Sequence, residues 1–137
     1  MPRGYPDYFG QSIFPKYGGV RNKLTHVTAT ANTLITVDTI TGKGVLYRCL
    51  FLINDTSTQR DSECYLYIDG LSVAHCRLSY SLRFGENLYN PYDFFLLRYD
   101  DLDFKYIAAL CGPYPFDEKV ELKYKEAHGT TPGIDTE

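Results

Sequence analysis

Tryptophan is absent from this 137-residue chain, and histidine occurs only three times. His26, His75 and His128 are scattered, so the clustered imidazoles a metal cupin needs are missing. The four cysteines, Cys49, Cys64, Cys76 and Cys111, show no CxxC spacing, which removes the usual zinc and dithiol signatures. No apolar run approaches the ~20 residues that cross a bilayer, so no membrane partner is expected. No h-region opens the chain, so synthesis in a cytoplasm and free, buried thiols are expected. The balance of 14 basic and 17 acidic residues, a net charge of -3, supplies no basic stripe for phosphates, and nucleic acid is not expected as a partner. No internal repeat is visible, which disfavours propellers and solenoids.

Aromatic residues are plentiful despite the missing tryptophan: 15% of the chain, with 13 tyrosines. Their placement at the N-terminus is the most telling feature. Residues 1–19 contain three prolines and four glycines, which forbid a long helix and interrupt any strand. The same segment carries Tyr5, Tyr8, Phe9, Phe14 and Tyr17. Flexible linkers are poor in aromatics. A segment that cannot fold on itself but is loaded with rings reads as an extended arm that docks elsewhere. Fixing its backbone costs more than five buried rings return, so backbone hydrogen bonds to a neighbour, such as strand addition, must supply the difference. The competing reading is an arm that folds back over its own core.

After Gly19 the character changes. Thr25–Ala31 and Thr33–Ile40 are rich in β-branched residues, and Thr41-Gly-Lys-Gly44 is a turn. Val45–Ile53 is apolar on both alternating faces apart from Arg48, as in a central strand covered on both sides or one that packs into a neighbour. Residues 54–62 read as a polar loop. Asp69-Gly70 lies between two β-rich runs and predicts a two-residue hairpin turn with positive φ. In that register Ile68 faces Leu71, Leu66 faces Val73 and Cys64 faces His75, while Cys76 faces Glu63 on the opposite side from Cys64. A Cys64–Cys76 bridge is not expected in that register. Ile68, Leu71, Leu66 and Val73 form the core face, with Tyr65, Tyr67, Ser72 and Ala74 on the other. Asp93–Tyr99 and Phe104–Cys111 predict two strands around the acidic turn Asp100–Asp103, with a short helix as the alternative for the second because Ala108-Ala109-Leu110 favours one. Gly112-Pro-Tyr-Pro115 reads as a breaker. Lys119–Lys125 alternates cleanly, with Val120, Leu122 and Tyr124 inward. The tally is seven or eight short strands without an amphipathic helix. It predicts an all-β, single antiparallel β-sandwich or jelly-roll-like domain over residues 20–126, an extended N-terminal arm over 1–19 and a mobile polar tail over 127–137.

Catalytic patterns are lacking. No G-x-S-x-G supplies a nucleophile elbow. Cys64 and His75, side by side in the expected register, are the only Cys/His pair to weigh, and core filling accounts for the thiol. Asp100, Asp101 and Asp103 have the oxygen ligands calcium takes, but lack an EF-hand's glycine and bidentate glutamate, so turn formation accounts for them. Asn54-Asp-Thr56 fits an N-glycosylation acceptor without a compartment to act in. No enzyme activity, cofactor or metal is expected. Tyr65 and Tyr67, on one face of the sandwich, are the candidate ligand face, since tyrosine rings stack on sugars. Tyr89-Asn-Pro-Tyr-Asp93 suits either loop packing or binding.

With its Gly/Pro/aromatic opening, Arg3-Gly-Tyr-Pro-Asp-Tyr-Phe-Gly10 followed by Ser12-Ile-Phe-Pro-Lys-Tyr-Gly18, on a β-rich body, the chain resembles accessory structural proteins of tailed bacteriophages. Such proteins decorate capsids or join tail and fibre parts. The resemblance implies a non-enzymatic virion component, synthesised in the host cytoplasm. It implies other virion structural proteins as partners and a homo-oligomer, commonly a trimer among decoration proteins. The arm's five rings would dock on neighbouring subunits and stabilise a capsid or tail assembly. The alternative is a receptor- or glycan-binding module of a tail tip or fibre.

Overall fold

A computed structural model describes residues 24–79 and 94–137. The arm with Tyr5, Tyr8, Phe9, Phe14 and Tyr17, and the loop residues 89–93, lie outside the described residues. Among the described residues nine strands follow one another: β1 (Thr25–Thr28), β2 (Leu34–Thr41), β3 (Gly44–Asn54), β4 (Glu63–Ile68), β5 (Leu71–Arg77), β6 (Phe94–Asp100), β7 (Lys105–Phe116), β8 (Lys119–Lys125) and β9 (Gly133–Thr136). They form a five-stranded sheet in the order β1-β9-β3-β7-β6 and a four-stranded sheet in the order β2-β8-β4-β5.

The pairings are nested and antiparallel: β1 with β9, β2 with β8, β3 with β7, β4 with β5. A ribbon wound so that its first strand meets its last is a jelly roll, here with β6 added beside β7. The all-β antiparallel sandwich expected from the sequence is the fold observed. Alternation along each strand puts one set of side chains between the sheets. Phe51, Ile53, Tyr106, Leu110 and Ile134 come from the larger sheet, and Leu66, Val120, Leu122 and Tyr124 from the smaller.

Three expectations are corrected. First, the hairpin turn is as read, with φ of 50° at Asp69 and 85° at Gly70. The register beyond it is not. A bulge leaves Val73 without a partner, so Ala74 faces Leu66, His75 faces Tyr65 and Cys76 faces Cys64. Val73 is 45% exposed and Leu71 70% exposed, so neither joins the core; Ala74 packs against it instead. Burial decides the shift, because the bulge lets both Cys64 and Cys76 enter the core. Second, the tail is not loose. Gly133–Thr136 is a strand between β1 and β3, with Ile134 fully buried. Third, Gly112–Pro115 does not break a strand, since β7 runs through it to Phe116. Among the described residues Leu110 is the last of this strand paired with β6, and residues 111–116 pair with β3. Pro113 falls within the register slip between Leu46 and Arg48, the kind of irregularity where a strand tolerates proline. The register slips between Leu46 and Arg48 around Gly112, where a Cβ would lie 2.4 Å from the Leu46 carbonyl oxygen.

Candidate functional site

The candidate ligand residues Tyr65 and Tyr67 stand on the outer face of the four-stranded sheet, as expected. Inward Cys64 and Leu66 alternate with them on β4. β8 brings Lys123 opposite Tyr65 and Glu121 opposite Tyr67, and β5 brings His75 opposite Tyr65. The rings form a row. His75 stacks on Tyr65 at 5.3 Å and 15°, Tyr65 meets Tyr67 at 6.2 Å and 48°, and Lys123 Nζ lies 4.4 Å from the Tyr67 centroid. The Tyr65 hydroxyl donates to Glu63 Oε2, and Arg77 donates through Nε and Nη2 to Glu63 Oε1 at 3.0 and 2.9 Å. Burial pushes the Glu63 carboxyl up, but the bonds from Tyr65 and Arg77 outweigh it and hold the group below the ordinary carboxylate range. Burial and that same carboxylate push the Tyr65 phenol up to about 12.

The Cys64–His75 pair dissolves. Cys64 is buried between the sheets against Cys76, whereas His75 is exposed on the opposite face. Burial, reinforced by Cys76, raises the Cys64 thiol well above its usual value, and burial raises Cys49 to about 12. Cys111 departs from the expectation of buried thiols, for it is exposed.

The acidic turn is occupied by protein donors. Asp100 Oδ1 accepts the Leu102 and Asp103 N–H groups, Asp101 accepts the Tyr106 hydroxyl and Arg60 Nε, and Asp103 meets Arg98 and Lys105. These contacts make it a turn-forming cluster.

A buried polar knot closes one end of the sandwich, and nothing local in the sequence marks it. Gln59, Ser62 and Glu126 are fully buried. Gln59 Oε1 accepts from Ser62 at 2.7 Å and from Tyr124 at 2.8 Å, while its Nε2 donates to Asp55 at 2.8 Å. Glu126 accepts the backbone N–H groups of Asn32, His128 and Gly129 at 2.8, 2.6 and 2.8 Å. Burial pushes the Asp55 and Glu126 carboxyls up, and the hydrogen bonds to them win, leaving both below the ordinary range. The knot fixes residues 126–130, which lead into β9.

The outer face of the five-stranded sheet differs from its counterpart. Leu50 and Leu52 of β3 alternate with buried Cys49, Phe51 and Ile53, so they point outward. Ile107 and Ala109 of β7 and Phe95 of β6 do the same. Leu50, Ala109 and Phe95 share one row, and Leu52 and Ile107 the next. Ala109 is 2% exposed yet stands outside the core cluster. The result is a contiguous apolar stripe.

The fold defines the chain as a jelly-roll β-sandwich. Compared with protein-family models and with curated proteins, the sequence matches none.

Proposed function

We propose that this protein is a non-enzymatic structural subunit of a multi-subunit particle, docking on neighbouring subunits through its N-terminal arm. The particle implied by the resemblance of residues 3–18 is a phage virion, with the subunit in its capsid or tail. The observation that carries the reading is the difference between the two outer faces. The smaller sheet carries the ion pairs Arg77–Glu63 and Lys123–Glu121 on its outer face, the polar pattern usual for the uncovered side of an antiparallel sheet. The larger presents an apolar stripe, the kind of surface that asks for a cover. The arm offers five rings on a chain rich in proline and glycine. The fold alone does not decide the matter, since jelly rolls serve capsids and lectins alike.

The test replaces Tyr5, Tyr8, Phe9, Phe14 and Tyr17 with serine in the full chain. Light scattering should show an oligomer for the parent and a smaller species for the variant, with the body's circular dichroism retained. A variant that assembles like the parent contradicts the reading.

The row His75–Tyr65–Tyr67 favours a second reading, a glycan- or receptor-binding module of a tail tip or fibre. Its rings are already engaged with one another and with Lys123, so a sugar must compete with these contacts. Loss of glycan binding in Tyr65→Ala/Tyr67→Ala, with assembly intact, would support that reading over the first.

A further inference from the structure

The buried knot sets a hydroxyl, a carboxylate and a carboxamide in the order that acyl transfer needs. Gln59 lies in the loop before β4 and Thr130 in the loop before β9, 71 residues apart. Gln59 Nε2 donates to Thr130 Oγ1 at 2.7 Å, and Thr130 Oγ1 donates to Asp55 Oδ2 at 2.5 Å. Glu126 Oε1 is a second acceptor for that hydroxyl, at 3.3 Å. Neighbours fix which way the carboxamide points. Its Nε2 faces the carboxylates of Asp55 and Glu126, at 2.8 and 3.4 Å, which accept protons and give none. Its Oε1 faces two hydroxyls, Ser62 at 2.7 Å and Tyr124 at 2.8 Å. Ser62 Oγ already accepts the Ala127 N–H, so its own proton is directed to Gln59. Burial raises the Tyr124 phenol well above its usual value, which keeps it a donor.

We infer that Thr130 and Gln59 join without an enzyme in a side-chain ester, releasing ammonia. A modest turn about the Gln59 Cγ–Cδ bond, a torsion with a broad well, presents the face of the carboxamide carbon to Thr130 Oγ1. The Thr130 proton passes to Asp55 Oδ2 as the Oγ1–Cδ bond forms. The carbonyl electron pair moves onto Oε1, where Ser62 and Tyr124 receive it as an oxyanion hole does. The pair then returns, the Cδ–Nε2 bond breaks, and Asp55 Oδ2 hands its proton to the departing nitrogen beside it. Nothing is oxidised or reduced, and Asp55 ends as it began. One oxyanion donor is worth roughly 10²–10³-fold in rate and a positioned base ~10²–10⁴-fold. Such factors suit a step that each chain takes once and has hours to complete. Ammonia lost to bulk water makes the step one-way, and burial of Gln59, Ser62 and Glu126 shields the ester from hydrolysis. The bond would staple the loop before β9 to the loop before β4, constraining the unfolded chain as a disulfide does but without an oxidant. It is independent of the docking reading above.

Mass spectrometry tests it on the full chain. Trypsin cuts after Arg48, Arg60 and Lys125, which leaves Gln59 in peptide 49–60 and Thr130 in peptide 126–137. The denatured chain should weigh one ammonia molecule less than its sequence, and its digest should contain the two peptides joined. Hydroxylamine, which cleaves esters and spares amides, should part them. Thr130→Ala, and Asp55→Asn slowed about 10²-fold or more by loss of its base, should keep the full sequence mass over the time in which the parent links. Should either variant fail to fold, the parent digest still decides. A parent at full mass with the peptides separate overturns the inference. So does a loss of ammonia that leaves the peptides unlinked, or a link that hydroxylamine does not cut. Linking of Asp55→Asn at the parent's rate overturns the role given to Asp55.

Discussion

Glu126 carries more of this fold than its polarity suggests. It is fully buried, and its carboxylate accepts three backbone N–H groups. Glu126→Ala removes the acceptor those donors share, and a hydrogen bond to a charged group contributes ~1.5–3 kcal/mol. A loss of about 3 kcal/mol in urea unfolding is expected. The same residue sets an acid limit. Its folded pKa lies below the unfolded value, as does that of Asp55, so their contribution is complete above the unfolded pKa and is lost as pH falls through the folded one. The melting temperature should fall on acidification below the ordinary carboxylate range, and less steeply in Glu126→Gln. Tyr65 acts at the other extreme. Its phenol is raised to about 12, so its bond to Glu63 contributes fully below the unfolded pKa and is lost as pH rises towards that value. None of this was legible locally. Gln59 and Ser62 read as a solvated loop because their partners, Tyr124, Glu126 and Thr130, lie more than 60 residues away.

At the scale of the element, legibility follows how local the deciding physics is. The Asp69-Gly70 turn was readable, because positive φ is a property of those two residues. Asp69 also accepts the N–H groups of Asp117, Glu118 and Lys119, tying this turn to the one between β7 and β8, and no spacing rule foretells that. β8 was readable from Val120, Leu122 and Tyr124, since strict alternation needs no partner to be seen. β9 was not, because four residues with one buried isoleucine carry no pattern, and only the β1 and β3 edges make them a strand. The bulge at Val73 was invisible for a similar reason: an alternating run does not say where it slips. That correction has a direct check. Val73→Asp, on an exposed side chain, should change stability by no more than ~0.5 kcal/mol. Ala74→Asp puts a carboxylate against the core and should cost on the order of 3 kcal/mol. Equal sensitivity at the two positions, measured by chemical unfolding, would restore the simple register.

For the whole molecule, the fold class was within reach of the sequence and the asymmetry of its surfaces was not. Short strands at regular spacing announce a sandwich. Which apolar residues of β3 and β7 line the core, and which form an outer stripe, depends on pairing that composition does not reveal. Val45–Ile53 looked like a strand covered on both faces, and its outward residues Leu50 and Leu52 are half-buried members of that stripe. An antiparallel sheet with one solvated face ordinarily turns polar residues to water. Here the smaller sheet does so and the larger does not. On our account the arm docks on neighbouring subunits, and subunits joined by arm and body gain the effective concentration that makes weak contacts hold.

Hydrogen–deuterium exchange on the full chain across a dilution series, with light scattering for mass, tests that claim most directly. The account predicts slow exchange in residues 1–19 within an oligomer, and fast exchange there once dilution yields the monomer. An arm that exchanges fast at every concentration, or stays protected in a dilute monomer, would contradict it.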